Sequence, residues 1–237
     1  MKKNGFTLIE LLIAIAVGLI IMAAVYGVMN MAQHSSSSID RKTLTQQDTR
    51  AVLNLMAMEI RMASFTRRNN NAVWTTIPSA ASTPACTQMG LATPVAVRKG
   101  IQLAGANEIL IAMDLNADNI IGPPSSNEYI YYKLEEQRIT RNVTCGGNQT
   151  ILGGAGSSTL VVNTVATPLF TYFDEDGQDI SAAVGSAPGS TSDTNIPLIR
   201  RIRITIVASV EKQGSQFGVK PITYTTDVLV KNHVLSP

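Results

Sequence analysis

One acidic side chain, Glu10, lies in a stretch of sequence that otherwise carries no charge. It is the only formally charged residue between Lys3 and Asp40, and the run 11–32 after it is almost wholly apolar. A carboxylate in a membrane helix costs up to roughly 2.5–3.5 kcal/mol at the bilayer centre, and a charge in a dry environment is tolerated only with a partner. The run contains no Lys or Arg. The chemistry expected of Glu10 is therefore pairing with a cation supplied from elsewhere.

The apolar run after Glu10 is long enough to cross a membrane. As a helix it reaches about 33 Å, against a hydrocarbon core of about 30 Å. Lys2 and Lys3 precede it, so the positive-inside rule keeps the N-terminus in the cytoplasm and exports the rest of the chain. A secretory signal peptide has a shorter apolar region and a small-residue cleavage site, and the run shows neither. A plain signal anchor explains the length and orientation but not Glu10.

The segment from Lys2 to Leu11 supplies a third interpretation. It reads Lys-Lys-Asn-Gly-Phe-Thr-Leu-Ile-Glu-Leu and resembles the type III signal of type IV prepilins and type II secretion pseudopilins. The resemblance implies cleavage after Gly5 by a prepilin peptidase/N-methyltransferase, and N-methylation of the new terminal amine of Phe6. It implies that Glu10 pairs with the Phe6 amine of a neighbouring subunit. The implied partners are this peptidase, other minor and major pilins, the inner-membrane assembly platform, and membrane lipid before assembly.

A second group of oxygen-bearing side chains lies far from the N-terminus. Asp114, Asn116 and Asp118 occupy positions 1, 3 and 5 of a calcium-loop pattern. The pattern then departs from an EF-hand loop, because Asn119 stands where glycine is needed and Ser125 where a bidentate glutamate is needed. A turn that joins two strands uses the same residue types, since Asn and Asp bond their own backbone. We favour the turn and keep calcium as the alternative; no other cofactor is expected.

The chain has two cysteines, Cys86 and Cys145, and both follow the membrane segment. An exported location is oxidising, so a disulfide between them is the natural expectation. It would close a loop of about 60 residues and contribute roughly 4 kcal/mol in the chain-entropy model. Two separate thiols are the alternative.

The elements that position these residues begin with one long helix. Helical character continues past the membrane through the polar stretch 33–51, where the serine run 35–38 is expected to fray it. Apolar residues then recur at three- and four-residue spacing from 52 to 63, and we assign Met56, Met58 and Met62 to core packing. The predicted organisation is a leader 1–5, a transmembrane and polymerisation helix 6–32, an amphipathic helix 33–65 and a β-rich head 66–237.

Strand patterns dominate the head. Runs at 108–113, 128–134, 137–143, 159–165 and 169–173 are apolar or aromatic. The clearest patterns are at 201–210 and 222–231, where apolar and polar residues alternate, as expected for a sheet with one buried face. An antiparallel sheet on one long helix is an α+β architecture, and together with the N-terminal resemblance it predicts a pilin-like fold.

The head resembles one branch of this family. The segments 172–177 (Tyr-Phe-Asp-Glu-Asp-Gly), 200–206 and 226–232 resemble PilW-like minor pilins and the related J-type minor pseudopilins. That branch often ends in Arg-Asn, where this chain has Lys231 and Asn232. The resemblance implies a minor pilin of a type IV pilus that acts in assembly initiation or in the tip complex. The alternatives are a J-type minor pseudopilin of a type II secretion system, and a membrane-anchored adhesive or binding head acting alone.

Composition and motifs exclude other classes of protein. With 19 basic and 17 acidic side chains, the net charge of the 237 residues is +2, which is no footprint for nucleic acid. His34 and His233 are isolated, and the sequence has no pattern typical of a catalytic site. We therefore expect no enzyme. The expected location is a single-pass inner-membrane protein with a cytoplasmic N-terminus and a periplasmic head, which then joins a cell-surface pilus.

Overall fold

The computed structural model of the chain describes residues 7–65, 73–74, 100–115, 120–121, 128–144, 146–154, 156–184, 191–210 and 221–231. They belong to two compact units, Met1–Leu44 and Thr45–Pro237. One uninterrupted helix, α1 (Leu8–Arg61), contributes its first part to one unit and its last part to the other.

The first unit is the exposed part of α1. Every residue from 7 to 40 is exposed, and by length and composition the helix is apolar enough to cross a membrane. The serine run 35–38 does not fray the helix, contrary to expectation. The Ser37 hydroxyl donates to the carbonyl of His34 at 3.1 Å, and the Thr43 hydroxyl to that of Ile39 at 3.0 Å. Ser and Thr hydroxyls within a helix can bond the carbonyls of the preceding turn in this way, and α1 continues through these residues.

The second unit carries the strands. Their bounds are β1 Val73–Trp74, β2 Ile101–Ala104, β3 Glu108–Ala112, β4 Ile120–Ile121, β5 Tyr129–Glu135, β6 Arg138–Val143, β7 Gln149–Gly153, β8 Thr159–Val161, β9 Phe170–Phe173, β10 Arg201–Val210 and β11 Ile222–Leu229. A 3-10 helix, Thr191–Leu198, precedes β10.

Two antiparallel sheets form the body of the head. One has the strand order β2-β3-β5-β6-β7. In the other, β10 pairs with β11 on one side and with β8 and β9 on the other. The pair β1 and β4 is parallel and two residues long. A helix and antiparallel sheets in this arrangement confirm the predicted α+β, pilin-like fold.

The last part of α1 packs on these sheets. Met56, Ile60 and Ala63 are fully buried in the common core, as their spacing predicts. The assignment of Met58 to the core was wrong, because its side chain is 54% exposed. Two residues along a helix correspond to about 200° of rotation, so Met58 and Met56 lie on opposite sides of α1.

The strands at the end of the chain follow the predicted alternation. Along β10 the residues at 202, 204, 206 and 208 are buried, and those between them are half-buried. The predicted run 159–165 is shorter than expected, because β8 ends at Val161 and a turn bridges Thr164 to Thr167. The sequence reasoning missed β1, β2, β4, β7 and the 3-10 helix.

Candidate functional site

The start of α1 is closed by a reciprocal pair of contacts between Thr7 and Glu10. The backbone N–H and the hydroxyl of Thr7 each donate to Glu10 Oε2 at 2.9 Å. In return, the Glu10 N–H donates to the Thr7 hydroxyl at 3.4 Å, and the Leu11 N–H bonds the Thr7 carbonyl at 3.3 Å. This is a capping box, in which two residues three apart satisfy each other's free groups at a helix start.

The capping box gives Glu10 a partner within its own chain. In a bilayer core each unsatisfied backbone N–H costs several kcal/mol, because no water is present to bond it. Glu10 therefore satisfies N–H and O–H donors at the end of an exposed apolar helix. The sequence reasoning assigned no role to Thr7, although the Thr-x-x-Glu spacing of a capping box is visible at 7–10.

The other predicted N-terminal residues, Gly5 and Phe6, lie outside the described residues, as do Cys86 and Cys145. Cleavage after Gly5, methylation of Phe6 and the disulfide therefore stay predictions. The structure places Glu10 with its own helix cap; the predicted pairing of Glu10 with the amine of a neighbouring Phe6 remains a prediction as well.

The first residue of the calcium-loop pattern lies in the head, just beyond β3. Asp114 is fully buried, and its N–H donates to the Phe65 carbonyl at 2.8 Å. Asn116 and Asp118 lie outside the described residues. Among the residues that the structure does describe, no group of three or more His, Cys, Asp or Glu side chains is placed to hold a metal ion. Calcium binding at the pattern of Asp114 therefore stays the alternative to a turn.

A buried ion pair joins the end of α1 to the larger sheet. Arg141 on β6 donates to both carboxylate oxygens of Glu59, at 2.6 Å from Nη2 and 3.1 Å from Nε. The Tyr132 hydroxyl on β5 also donates to Glu59. The side chain of Glu59 is 8% exposed and that of Arg141 23%. Sequence reasoning missed this cluster, since 82 residues separate the two charges.

The ion pair forms one wall of a cleft of about 450 Å³. The other lining residues are mainly apolar and come from the turn after α1, the segment after β3 and the larger sheet: Met62, Leu115, Ile130, Val143 and Gln149. Both carboxylate oxygens of Glu59 are already bonded. The cluster thus fixes α1 on the larger sheet. The charges of Glu59 and Arg141 pair with each other in this contact.

The sequence matches two known protein families. Residues 1–26 match the family described as "Prokaryotic N-terminal methylation motif". Residues 39–217, about three quarters of the chain, match the family described as "Prepilin peptidase-dependent protein B". The chain belongs to the prepilin peptidase-dependent protein B family. No curated protein and no solved structure matches it.

Membership of the prepilin peptidase-dependent protein B family confirms the pilin-like resemblance of the N-terminus. The family description and the methylation motif imply processing by a prepilin peptidase. The apolar helix near the N-terminus fits a membrane-anchored pilin-like protein. The finer resemblance to PilW-like minor pilins stays a prediction.

Proposed function

We propose that this member of the prepilin peptidase-dependent protein B family is a PilW-like minor pilin of a type IV pilus, acting in assembly initiation or in the tip complex. The observation that carries the proposal is an exposed apolar helix with one carboxylate, Glu10, in its first turn. Glu10 lies within the matched methylation motif. Before assembly the helix lies in the inner membrane, with a cytoplasmic N-terminus and a periplasmic head. The proposal includes no catalytic reaction and no cofactor.

The capping box suggests how Glu10 acts during assembly. In the membrane-bound subunit the carboxylate bonds Thr7, so it enters lipid with hydrogen-bond donors around it. In the filament it exchanges these neutral donors for the cationic amine of a neighbouring Phe6. The bonds from Thr7 already have an ionised acceptor, but the amine adds a full opposite charge, and its attraction to the carboxylate is stronger in the low-dielectric interior of a dry helix bundle. The exchange favours docking of the subunit over its return to lipid.

The proposal predicts a separation of processing from assembly. A chain with Glu10→Ala is still cleaved, because the peptidase cuts after Gly5, but it enters pili poorly. The matched control is Asp40→Ala, since Asp40 is the next charged residue on α1 and is also exposed. N-terminal mass spectrometry of the mature chain and its recovery in sheared pili measure the two steps.

Each outcome has a clear meaning. Recovery of Glu10→Ala in pili at the level of the control would contradict the mechanism. A wild-type chain that is processed but co-purifies with secretion-system pseudopilins, and not with pili, would favour the J-type pseudopilin instead. A wild-type chain that is not cleaved would overturn both.

A further inference from the structure

The part of α1 in the second unit carries apolar residues on two opposite sides. One side is buried in the core of the head. The other side carries Ala51, Leu55 and Met58, and Met62 continues their spacing in the turn that closes the helix. Ala51 is exposed, Met58 is 54% exposed, and Leu55 and Met62 are half-buried. A helix that served only the core would be polar on this outward side.

The spacing of these residues is that of a seam between two helices. Asp48, Ala51, Leu55, Met58 and Met62 follow one another at intervals of three and four residues. This alternation corresponds to positions a and d of a heptad, whose side chains pack into a facing helix. We call these residues the outer seam. The residues at 49, 53, 56 and 60 on the opposite side are buried, so a helix on the outer seam does not compete with the sheets for α1.

Asp48 determines which helix fits the outer seam. It is exposed and occupies an a position, where a polar side chain restricts the choice of partner. In a parallel pair each a residue lies against the a residue of the other helix. Two copies of this chain would therefore bring two Asp48 carboxylates together, and like charges at short distance repel. A helix with lysine or arginine at this position supplies the opposite charge instead.

The membrane part of α1 sets the direction of the partner helix. α1 runs without interruption from its exposed apolar part into the head. A helix anchored by its own N-terminal segment in the same membrane therefore runs parallel to α1. At the far end of the outer seam, Met62 also lines the apolar cleft beside Glu59. A parallel helix can thus place a large apolar side chain in that cleft.

We propose that the outer seam binds a parallel helix of a different membrane-anchored chain, which has apolar residues at heptad spacing and a lysine or arginine opposite Asp48. A partner of this kind rests on the proposed function, in which other subunits are anchored in the same membrane. The apolar residues supply the attraction, because packing removes their exposed surface from water. The charge pair supplies the selectivity, because it favours the different chain over a second copy.

Charge reversal in the full-length chain tests this selectivity. Two forms are produced together in one membrane, one with Asp48 and one with Asp48→Lys, and both carry Met58→Cys. Met58 occupies a d position, and facing d residues of a parallel pair lie close enough for a disulfide. Tags of different mass distinguish the mixed pair from the two like pairs. Under mild oxidation the mixed pair should exceed each like pair roughly tenfold, the ratio that a difference of about 1.4 kcal/mol gives.

The matched control carries Arg50→Cys in place of Met58→Cys, because Arg50 is exposed on α1 but lies off the outer seam. It should give no more cross-linked product than the chain whose cysteines are Cys86 and Cys145 alone. Equal amounts of mixed and like pairs would show that Asp48 does not select the partner and would overturn the proposal. No cross-link with Met58→Cys, or an equal yield with Arg50→Cys, would overturn docking on the outer seam. None of these measurements requires a pilus, so their failure is distinct from a failure of the proposed function.

Discussion

At the scale of single residues, Glu59 shows how a buried charge holds this head together. Arg141 engages both of its carboxylate oxygens, and Tyr132 donates to one of them. The hydrogen bond to Glu59 raises the pKa of Arg141, while burial raises the pKa of Tyr132. Both donors therefore keep their protons at neutral pH. Removal of the carboxylate would leave the half-buried guanidinium of Arg141, at the wall of the cleft, without these two acceptors.

This arrangement predicts a large loss of stability for Glu59→Ala. Breaking a fully buried ion pair from one side typically costs about 3–5 kcal/mol, and because the Arg141 side chain is 23% exposed, we expect the lower end of this range. Met58→Ala is the matched control, because Met58 is the preceding residue of α1 and is mostly exposed; its expected cost is within about 0.5 kcal/mol. Denaturant unfolding of the full chain in detergent measures both. Equal losses from the two substitutions would show that Glu59 has no special role.

Asp227 predicts a weaker effect that depends on pH. Hydrogen bonds from Arg203 and Arg201 lower the pKa of Asp227 below its ordinary value of 3.8. The folded head therefore binds this proton less readily than the unfolded chain does. The stabilisation is fully present above the unfolded pKa and is lost as the pH falls through the lower, folded pKa.

The corresponding substitution is Asp227→Asn. Because the carboxylate is partly exposed and screened by solvent, the expected loss at neutral pH is at most about 1 kcal/mol. The difference from the wild-type chain should shrink as acid protonates Asp227. Thermal unfolding at a series of pH values measures this, with Glu175→Gln as a control at an exposed turn position. A difference that stays constant down to acidic pH would contradict the ionic origin of the effect.

At the scale of elements, Gly153 allows the two sheets to meet. It ends β7 with a φ of 79°, and a Cβ placed on it would lie 2.4 Å from the Gln137 carbonyl oxygen and 3.3 Å from the Val161 side chain. That same carbonyl accepts the Val161 N–H at 2.9 Å. The missing side chain thus leaves room for a hydrogen bond between β8 and the turn between β5 and β6.

Gly153→Ala should therefore destabilise the head for two reasons. An alanine is strained at a positive φ, and its Cβ also collides with neighbouring atoms. Gly156 is the matched control, because it has a φ of 80° but no atom within 4 Å of the added Cβ. Gly156→Ala costs about 1–2 kcal/mol for the left-handed backbone. Gly153→Ala should cost roughly a further 1–3 kcal/mol, since atoms are forced into filled space. The free energies of unfolding of the two variants measure this difference. Equal values would contradict the close approach of β8 to Gly153.

The same elements show how far the sequence reasoning reaches. The alternation from Ile202 to Ala208 predicts β10 because one face of that strand is buried and the other is not. In β2, all residues of Ile101–Ala104 are buried, so no alternation exists to reveal the strand. The partner of Glu59 could not be predicted either, because only the folded sheet brings Arg141 to the helix. By contrast, Glu10 stood out because its contacts are local and its neighbours in sequence are apolar.

At the scale of the whole molecule, the apolar residues have two separate uses. Those of the first unit are exposed, among them Leu8, Leu19 and Met31. The apolar residues of α1 that are buried start at Val52, within the second unit. Polar contacts begin at Thr45, the first residue of the second unit, because the Thr159 hydroxyl donates to that of Thr45 at 2.9 Å. The described core of the head therefore uses no side chain that precedes residue 45.

This division predicts that the fragment 45–237 folds without the membrane part of the helix. It should remain soluble without detergent and unfold cooperatively, because it keeps all the helix residues found in the core. A fragment 62–237 is the matched control. It lacks Met56 and Ile60, which are fully buried, and the loss of even one such side chain costs about 2–5 kcal/mol, a large part of the stability of a typical domain. The shorter fragment should therefore show no cooperative transition in thermal unfolding followed by circular dichroism. Failure of 45–237 to fold, or equal folding of both fragments, would mean that the helix does not supply the core in the way that its burial indicates.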